Sequence, residues 1–534
     1  MSSHEIVTIQ AGCFSNFIGT HWWNMQESSF CYDPRNSADM DIDHDVLFRE
    51  GLNLQQEVTY TPRLVLLDLK GNLQSISTES PLYRNPHESK NETLWEGAVD
   101  VVKQSSKRKN PFLEESNETP EKSEDLNIIE AVDSDSTAWS DYLKTNLHPR
   151  SFCLFQENSS SEDQPALDIY SSGDEVYMET GKDMVENALR KTIEECDYLQ
   201  GFNFIFDAHN GFSAICNHVL QHLDDEYSRS PSLCFPVFQD HKTVSLQDVR
   251  KQLHRLFAVT TTLSNLNSFA TCFSPLSLCD DVVRQTEPFR KFPYLQYNGN
   301  RLYHSSAIFA TAIETLTSQC RLKRRKFSLS DVTSGMSMYS RKLVCSNIAL
   351  PFPLAEDAYL SCMVRKDVPE YFPVSLSPFH DPGSEKNLFQ SAVLRGIPHT
   401  KFQKRDICQQ SILPVEEVFA DYLKIYSASY TTTATVFSEK ISVDSPFPKI
   451  FSELVGTTGI LSSAANNKSV DKVPVAASFS SSNSAATFIE DLLSQVSKTN
   501  FKEYVKSAES SFEKDEFQEV LQNVISLQDN YQNY

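Results

Sequence analysis

HEIVTIQAGCFSNFIGTHWW, residues 4–23, decides the fold. Ile6, Val7 and Ile9 make a short apolar strand, and Gly12 sits just past it. Phe14, Phe17, Ile18, His21 and Trp22 then recur at i, i+3, i+4, i+7 and i+8, the spacing of one helix face. A strand, a small-residue turn and a helix starting at that turn form the opening unit of a nucleotide-binding α/β sheet. Unpaired N–H groups at such a helix start favour an anion. The same pattern also describes an ordinary strand–helix unit that binds nothing.

The alternation continues outward. Residues 63–68, RLVLLD, form a continuous apolar run ending in Asp68, suited to a parallel strand buried on both faces. Ligands of such sheets bind beyond the carboxyl ends of the strands, where Asp68 falls; an acid there also serves as a helix cap or turn residue. Residues 139–155, WSDYLKTNLHPRSFCLF, combine a short helical pattern with a strand over 151–155. His148 and Arg150 are candidates for touching a partner, although capping beside Pro149 also accounts for them. From Lys182, Met184, Val185, Ala188, Leu189, Ile193 and Cys196 share a helix face. LQGFNFIF (199–206) is a strand, and DAHNGFSAICNHVLQHLDDEY (207–227) a turn and helix. A strand over 232–237 and a helix around Leu246, Val249, Leu253 and Phe257 follow.

These motifs carry a family resemblance. EIVTIQAG…N..IG resembles the amino terminus of tubulins, and the HWWN that follows, with LHPRS and LQGF…HNGFS, resembles the Misato family of divergent tubulin-like proteins. The fold implied is a tubulin-like, Rossmann-type α/β nucleotide-binding domain with a second α+β domain. Cys13 stands where tubulins carry a phosphate- and magnesium-facing Gln. Phe14 and Ser15 replace small residues, while Asn16 and Gly19 keep the tubulin letters. After Asp68 come Leu69 and Lys70, so one acid of the tubulin pair has become a base. The Gly-rich phosphate loop GGGTGSG is replaced by His209-Asn210-Gly211-Phe212-Ser213-Ala214-Ile215. Glycines let backbone N–H groups close on phosphate because no Cβ intervenes. One glycine remains, and Phe212 is expected to stand where a phosphate would lie. The nucleotide site therefore reads as degenerate, its remnants being Gly12, Cys13, Asn16, Asp68, Asn210, Gly211 and Ser213. Asp207, His209 and Cys13 are the right types for nucleophilic catalysis, but polar turn residues left from a lost loop explain them as well.

Composition points the same way. The 534 residues include 15 glycines, under half of the usual share of about 7%, and phosphate loops consume glycine. A net charge of −23 argues against nucleic acid as the main partner. Twelve cysteines without a C-x-x-C pair suggest neither a zinc ribbon nor a thioredoxin-type centre. Without a secretory signal they read as reduced, buried thiols of an intracellular protein. No apolar run of 18 residues is present, so no membrane span is expected.

The expected organisation is a first part of the tubulin-like domain over 1–83, a polar, disordered insertion over 84–138 and a second part over 139–300. A central helix over 301–325 follows, buried because 307–313 are apolar all round. A second α+β domain over 326–461, a Ser/Ala-rich linker over 462–487 and a helical tail over 488–534 complete the chain. Trp95 and the basic cluster Lys107-Arg108-Lys109 lie in the insertion. Lys323-Arg324-Arg325-Lys326 suits the carboxyl end of the central helix.

The resemblance implies a cytoplasmic protein, peripheral at the mitochondrial outer membrane, that controls mitochondrial distribution, morphology and fusion, with links to the cytoskeleton and spindle assembly. The loss of phosphate-binding glycines narrows this to a non-catalytic regulator working through other proteins. No cofactor or metal is expected. A weak GTP-binding switch and a polymerising tubulin are the alternatives.

Overall fold

The computed structural model describes residues 4–30, 41–53, 55–73, 138–156, 167–238, 249–284, 288–324, 327–354, 373–379, 387–397, 415–427, 429–462, 469–499, 501–508 and 513–532. The expected insertion over 84–138, except Ala138, lies outside them, as do Trp95 and Lys107–Lys109.

Among the described residues, strands β1 (Glu5–Ala11), β4 (Leu64–Leu69), β5 (Phe152–Phe155), β6 (Leu199–Asp207), β7 (Ser232–Val237) and β8 (Cys272–Phe273) form a parallel sheet in the order β5-β4-β1-β6-β7-β8. The short hairpin of β2 (Phe48–Leu52) and β3 (Val58–Pro62) stands beside it. β1 and β4 are buried throughout, which explains their unbroken apolar runs. Their side chains alternate between two cores: Ile6, Leu64 and Leu66 face one, and Val7, Ile9, Val65 and Leu67 the other. From β1 the chain passes to β4 and β5 on one side, then returns to β6 on the other. The crevice at the carboxyl ends of β1 and β6 is thus the topological switch point, the place where such sheets hold ligands.

Helix α1 (Cys13–Ser28) leaves β1 at Gly12. The one-face spacing predicts an amphipathic helix, whereas residues 14–26 are buried all round. The reason is a second covering layer. On the other side of the sheet run α2 (Tyr170–Val176), α3 (Lys182–Glu194), α4 (Gly211–Tyr227) and α5 (Val249–Phe269). Helix α6 (Leu302–Ser318), every residue of it buried, lies between α1 and a second sheet. α7 (Leu329–Met336) then leads into that sheet.

The second sheet is mixed, with β9 (Cys345–Ala349), β10 (Val374–Ser375), β11 (Phe389–Arg395), β12 (Thr431–Phe437) and β15 (Val475–Ser481) in the order β10-β9-β15-β11-β12. α8 (Val415–Ser427) packs against β12, and β13 (Ile441–Ser442) pairs with β14 (Lys472–Val473). Residues 462–487 read as a linker from their Ser/Ala content. In the structure their described part holds β14, β15 and the start of α9 (Ser484–Ser497). β15 bonds β9 on one edge and β11 on the other, so backbone pairing holds it where side-chain propensity gives little signal.

α9, α10 (Phe501–Ala508) and α11 (Lys514–Gln532) pack on α5. Phe257 stacks on Tyr504 with centroids 3.9 Å apart and meets Phe517 at 4.6 Å. Tyr531 fixes the last helix: its hydroxyl donates to the Leu343 carbonyl (2.6 Å) and accepts from the Leu343 N–H (2.9 Å).

Candidate functional site

At the switch point the structure brings most of the degenerate-site residues together, and fills the space with its own groups. Gly12 adopts φ +103°, and a Cβ there would lie 2.5 Å from the Asp207 carboxyl carbon. Glycine is thus required for two reasons at once, conformation and close approach. Asp207, at the end of β6 and 2% exposed, accepts from the backbone N–H of Phe14 (3.2 Å) and Ser15 (2.9 Å) and from the Ser15 hydroxyl (2.6 Å). A carboxylate of the chain itself occupies the anion position at the start of α1, where the dipole and free N–H groups favour negative charge.

The turn before α4 is closed in the same way. Asn210 caps the helix by accepting from Phe212 N–H (3.0 Å), and the Ser213 hydroxyl donates to the Asn210 carbonyl (2.6 Å). Gly211 N–H donates to the Leu167 carbonyl at 2.8 Å. A Cβ on Gly173 would come within 1.9 Å of the Gly211 carbonyl oxygen, so α2 lies directly on this turn, glycine against glycine. Phe212 corrects the sequence expectation. Its ring is 4% exposed and belongs to the core with Leu167, Ile169 and Ile215. The groups at the two turns are instead the Asp207 carboxylate and the Leu167–Gly173 backbone.

Asp68 is fully buried and accepts four hydrogen bonds, from Asn16 Nδ2 (2.8 Å), Trp139 Nε1 (2.7 Å), Asn72 Nδ2 (2.7 Å) and Leu69 N–H (2.7 Å). Burial raises its pKa, and the bonds from Asn72, Leu69, Asn16 and Trp139 oppose the rise. A carboxylate so surrounded is a structural hub and has no lone pair directed at a metal. Among the described residues no group of three or more His, Cys, Asp or Glu side chains could hold a metal ion. Gln10 extends the network by accepting from Trp23 Nε1 (2.6 Å), while its own amide reaches Asn16 at 3.5 Å. Cys13 is partly buried against the α1–α6 core. His209 turns its Nδ1 to the Val237 carbonyl (3.4 Å), while Asp207 faces α1.

The HWWN motif is explained by burial. His21 Nε2 meets the Tyr303 carbonyl (3.1 Å), Trp22 Nε1 donates to Glu314 (2.9 Å), Trp23 serves Gln10, and Asn24 Nδ2 donates to the Tyr142 carbonyl (2.8 Å). Burial first of all holds His21 near pKa 3, with the Tyr303 carbonyl opposing. The unfolded chain takes up this proton near the ordinary value of about 6.5. The unfolded state therefore binds more protons below that pH, and stability falls as pH drops from 6.5 toward 3. At pH 5 this one histidine is expected to cost about 2 kcal/mol relative to pH 7. Urea midpoints at the two pH values should show a drop that shrinks in His21→Gln. An equal drop in both proteins would remove His21 as its source.

Two acids mattered more than sequence reading indicated. Asp207 reads from the sequence as a candidate catalytic acid or a turn residue, and its place at the start of α1 shows only in the fold. Glu314 lies in α6, where a single acid in an apolar helix signals a buried partner. It pairs with Arg321 (2.7 Å) and Arg395 (3.0 Å) and also accepts from Gln26.

Residues 4–117 match the family model for the Misato Segment II tubulin-like domain, and residues 130–322 match a tubulin domain model. Protein misato homolog 1 of Homo sapiens is 29% identical over 567 residues, covering 99% of this chain and 98% of its own. The chain is similar to the Misato family along nearly its whole length. Protein misato of Drosophila melanogaster is 27% identical with the same two coverages, and protein DML1 of Gibberella zeae 28% identical over 68% of this chain and 69% of its own. The parallel sheet and the helices beside it are those of a tubulin-like domain, and the Asp207 carboxylate is bound at the start of α1.

Proposed function

We propose that this Misato-like protein is a nucleotide-independent, non-catalytic regulator of mitochondrial distribution, morphology and fusion that works through contacts with proteins of the mitochondrial surface or cytoskeleton. The observation that carries the absence of nucleotide chemistry is the Asp207 carboxylate bound at the start of α1. A phosphate entering there would meet a fixed negative charge at a buried site, which costs far more than in water. Asn210, Ser213 and the Leu167 carbonyl use the polar groups of the second turn. The mitochondrial setting rests on the family resemblance. Among the described residues no helix is long and apolar enough to cross a membrane.

Calorimetry of the full-length protein with magnesium and GTP or GDP tests the first part. No binding is expected up to millimolar nucleotide, and no nucleotide should accompany the protein through purification. Micromolar affinity that falls in Asn16→Ala would instead make this a GTP-dependent switch. For the second part, the tagged protein at mitochondria should be released by alkaline carbonate, and its depletion should alter mitochondrial distribution. Normal mitochondria after depletion would remove the organelle from its role.

A further inference from the structure

At the opposite, amino-terminal edge of the parallel sheet, the chain gathers cations in spite of its net charge of −23. Arg49 comes from β2, Arg63 from the residue before β4, Arg150 from the turn before β5, and Lys191 from the last turns of α3. With His148 and Glu195 they line one notch holding about 20 Å³ of free space. Glu195 already shows what the notch accepts: its carboxylate takes Arg49 Nη1 at 2.5 Å and Arg150 Nη1 at 3.5 Å. Arg63 is the second observation. Its side chain is 9% exposed, it donates to the Glu195 carbonyl at 3.1 Å and approaches Glu5 at 3.8 Å, and its buried Nε has no hydrogen-bond partner. Its Nη1 and Nη2 already reach Glu195 and Glu5, so the guanidinium is a fixed positive charge in the wall of the notch. His148 reports the same field: after burial, the nearby Arg49 and Arg150 charges hold its pKa down at about 4.

The geometry points to a phosphate-binding notch formed by Arg49, Arg63, Arg150 and Lys191, which takes a phosphoserine or phosphothreonine side chain of a partner protein. Four cations face Glu195 and Glu5, leaving an excess of about two charges, which one phosphate monoester of about −2 neutralises. The free space is about that of one water molecule, so an entering phosphate takes the place of the Glu195 carboxylate. Guanidinium forks suit tetrahedral oxyanions through paired N–H donors. Arg63 is recessed, so a projecting side chain reaches it and a flat bilayer does not; the acidic bulk of the molecule further opposes an anionic lipid surface. The site lies across the sheet from Asp207 and is independent of whether nucleotide binds there.

The test uses the full-length protein with a pool of phosphoserine peptides of randomised flanks, the identical unphosphorylated pool, inorganic phosphate as competitor, and vesicles containing phosphatidylinositol 4-phosphate. The phosphorylated pool is expected to bind at least about tenfold tighter than its twin, and millimolar phosphate should displace it. Arg150→Gln and Lys191→Gln, both exposed and tolerated by the fold, should each weaken binding by about three- to tenfold. Glu195→Gln removes the competing carboxylate and should tighten it. Equal binding of both pools, or indifference to Arg150→Gln and Lys191→Gln, would overturn the site. Arg150-dependent capture by the vesicles without capture of the phosphopeptides would overturn the peptide as its ligand.

Discussion

Glu314→Ala is expected to cost about 3–5 kcal/mol of folding stability, a large part of what a typical domain has. Glu314 is the shared counter-ion of Arg321 and Arg395, whose side chains are 1% and 2% exposed. It also accepts from Trp22 Nε1. Burial pushes its carboxyl up, and the two guanidiniums more than offset this, holding its pKa below the ordinary glutamate value. The alanine variant leaves the buried Arg321 without its anion and Arg395 with only the more distant Glu439 carboxylate, at 3.8 Å. Arg321 is the worse case, because its Nε and Nη1 have no hydrogen-bond partner even in the intact protein. Urea unfolding would read the loss as a lower midpoint with unchanged slope. A quadruple variant, Glu314→Leu, Arg321→Leu, Arg395→Met and Glu439→Leu, should be more stable than Glu314→Ala, since an apolar replacement of the whole cluster, including the Glu439 carboxylate 3.8 Å from Arg395, strands no charge. If the quadruple variant were the weaker of the two, burial of unpaired charge would not be the cause.

The second large effect belongs to Asp207. Asp207→Ala removes the acceptor of two backbone N–H groups and one hydroxyl in the first turn of α1, and should cost about 2–4 kcal/mol. It also empties an anion position. Millimolar phosphate or sulfate is therefore expected to raise the melting temperature of Asp207→Ala by more than that of the unaltered protein, which already carries its own anion there. Gly12→Ala should be comparably damaging without this salt rescue, because its Cβ meets Asp207 itself. Equal salt responses in all three proteins would show that α1 offers no anion position when Asp207 is gone.

Much of this architecture was legible in the chain. β1, β4, β6 and β7 declared themselves through apolar runs because both of their faces are buried. α6 did so by lacking a polar face. Asn16 and Asp68, read as neighbours from the sequence, bond each other. The roles of the closing groups were not legible. Asp207 acts on residues 192 and 193 positions away, and Arg395 on one 81 positions away, so their partners exist only in the fold. Phe212 was misplaced because a loop position was assigned from an aligned letter, while its side chain turns into the core. β15 escaped notice because Ala476, Ala477 and Ser478 carry small side chains, and pairing on both edges does for it what β-branched residues do elsewhere.

That last strand has a consequence for how the protein is made. The centre of the second sheet is built from one of its last-synthesised segments, about 80 residues after β11. At about 5–20 residues per second, β9 and β11 wait on the order of ten seconds on the ribosome with a gap between them. Throughout that interval α6 has no β15 to pack against, and two open strand edges face the cellular milieu. A nascent chain in this state is a natural client for folding chaperones. A premature stop before residue 475 would deprive the sheet of its middle rather than its end, however little of the sequence it removed.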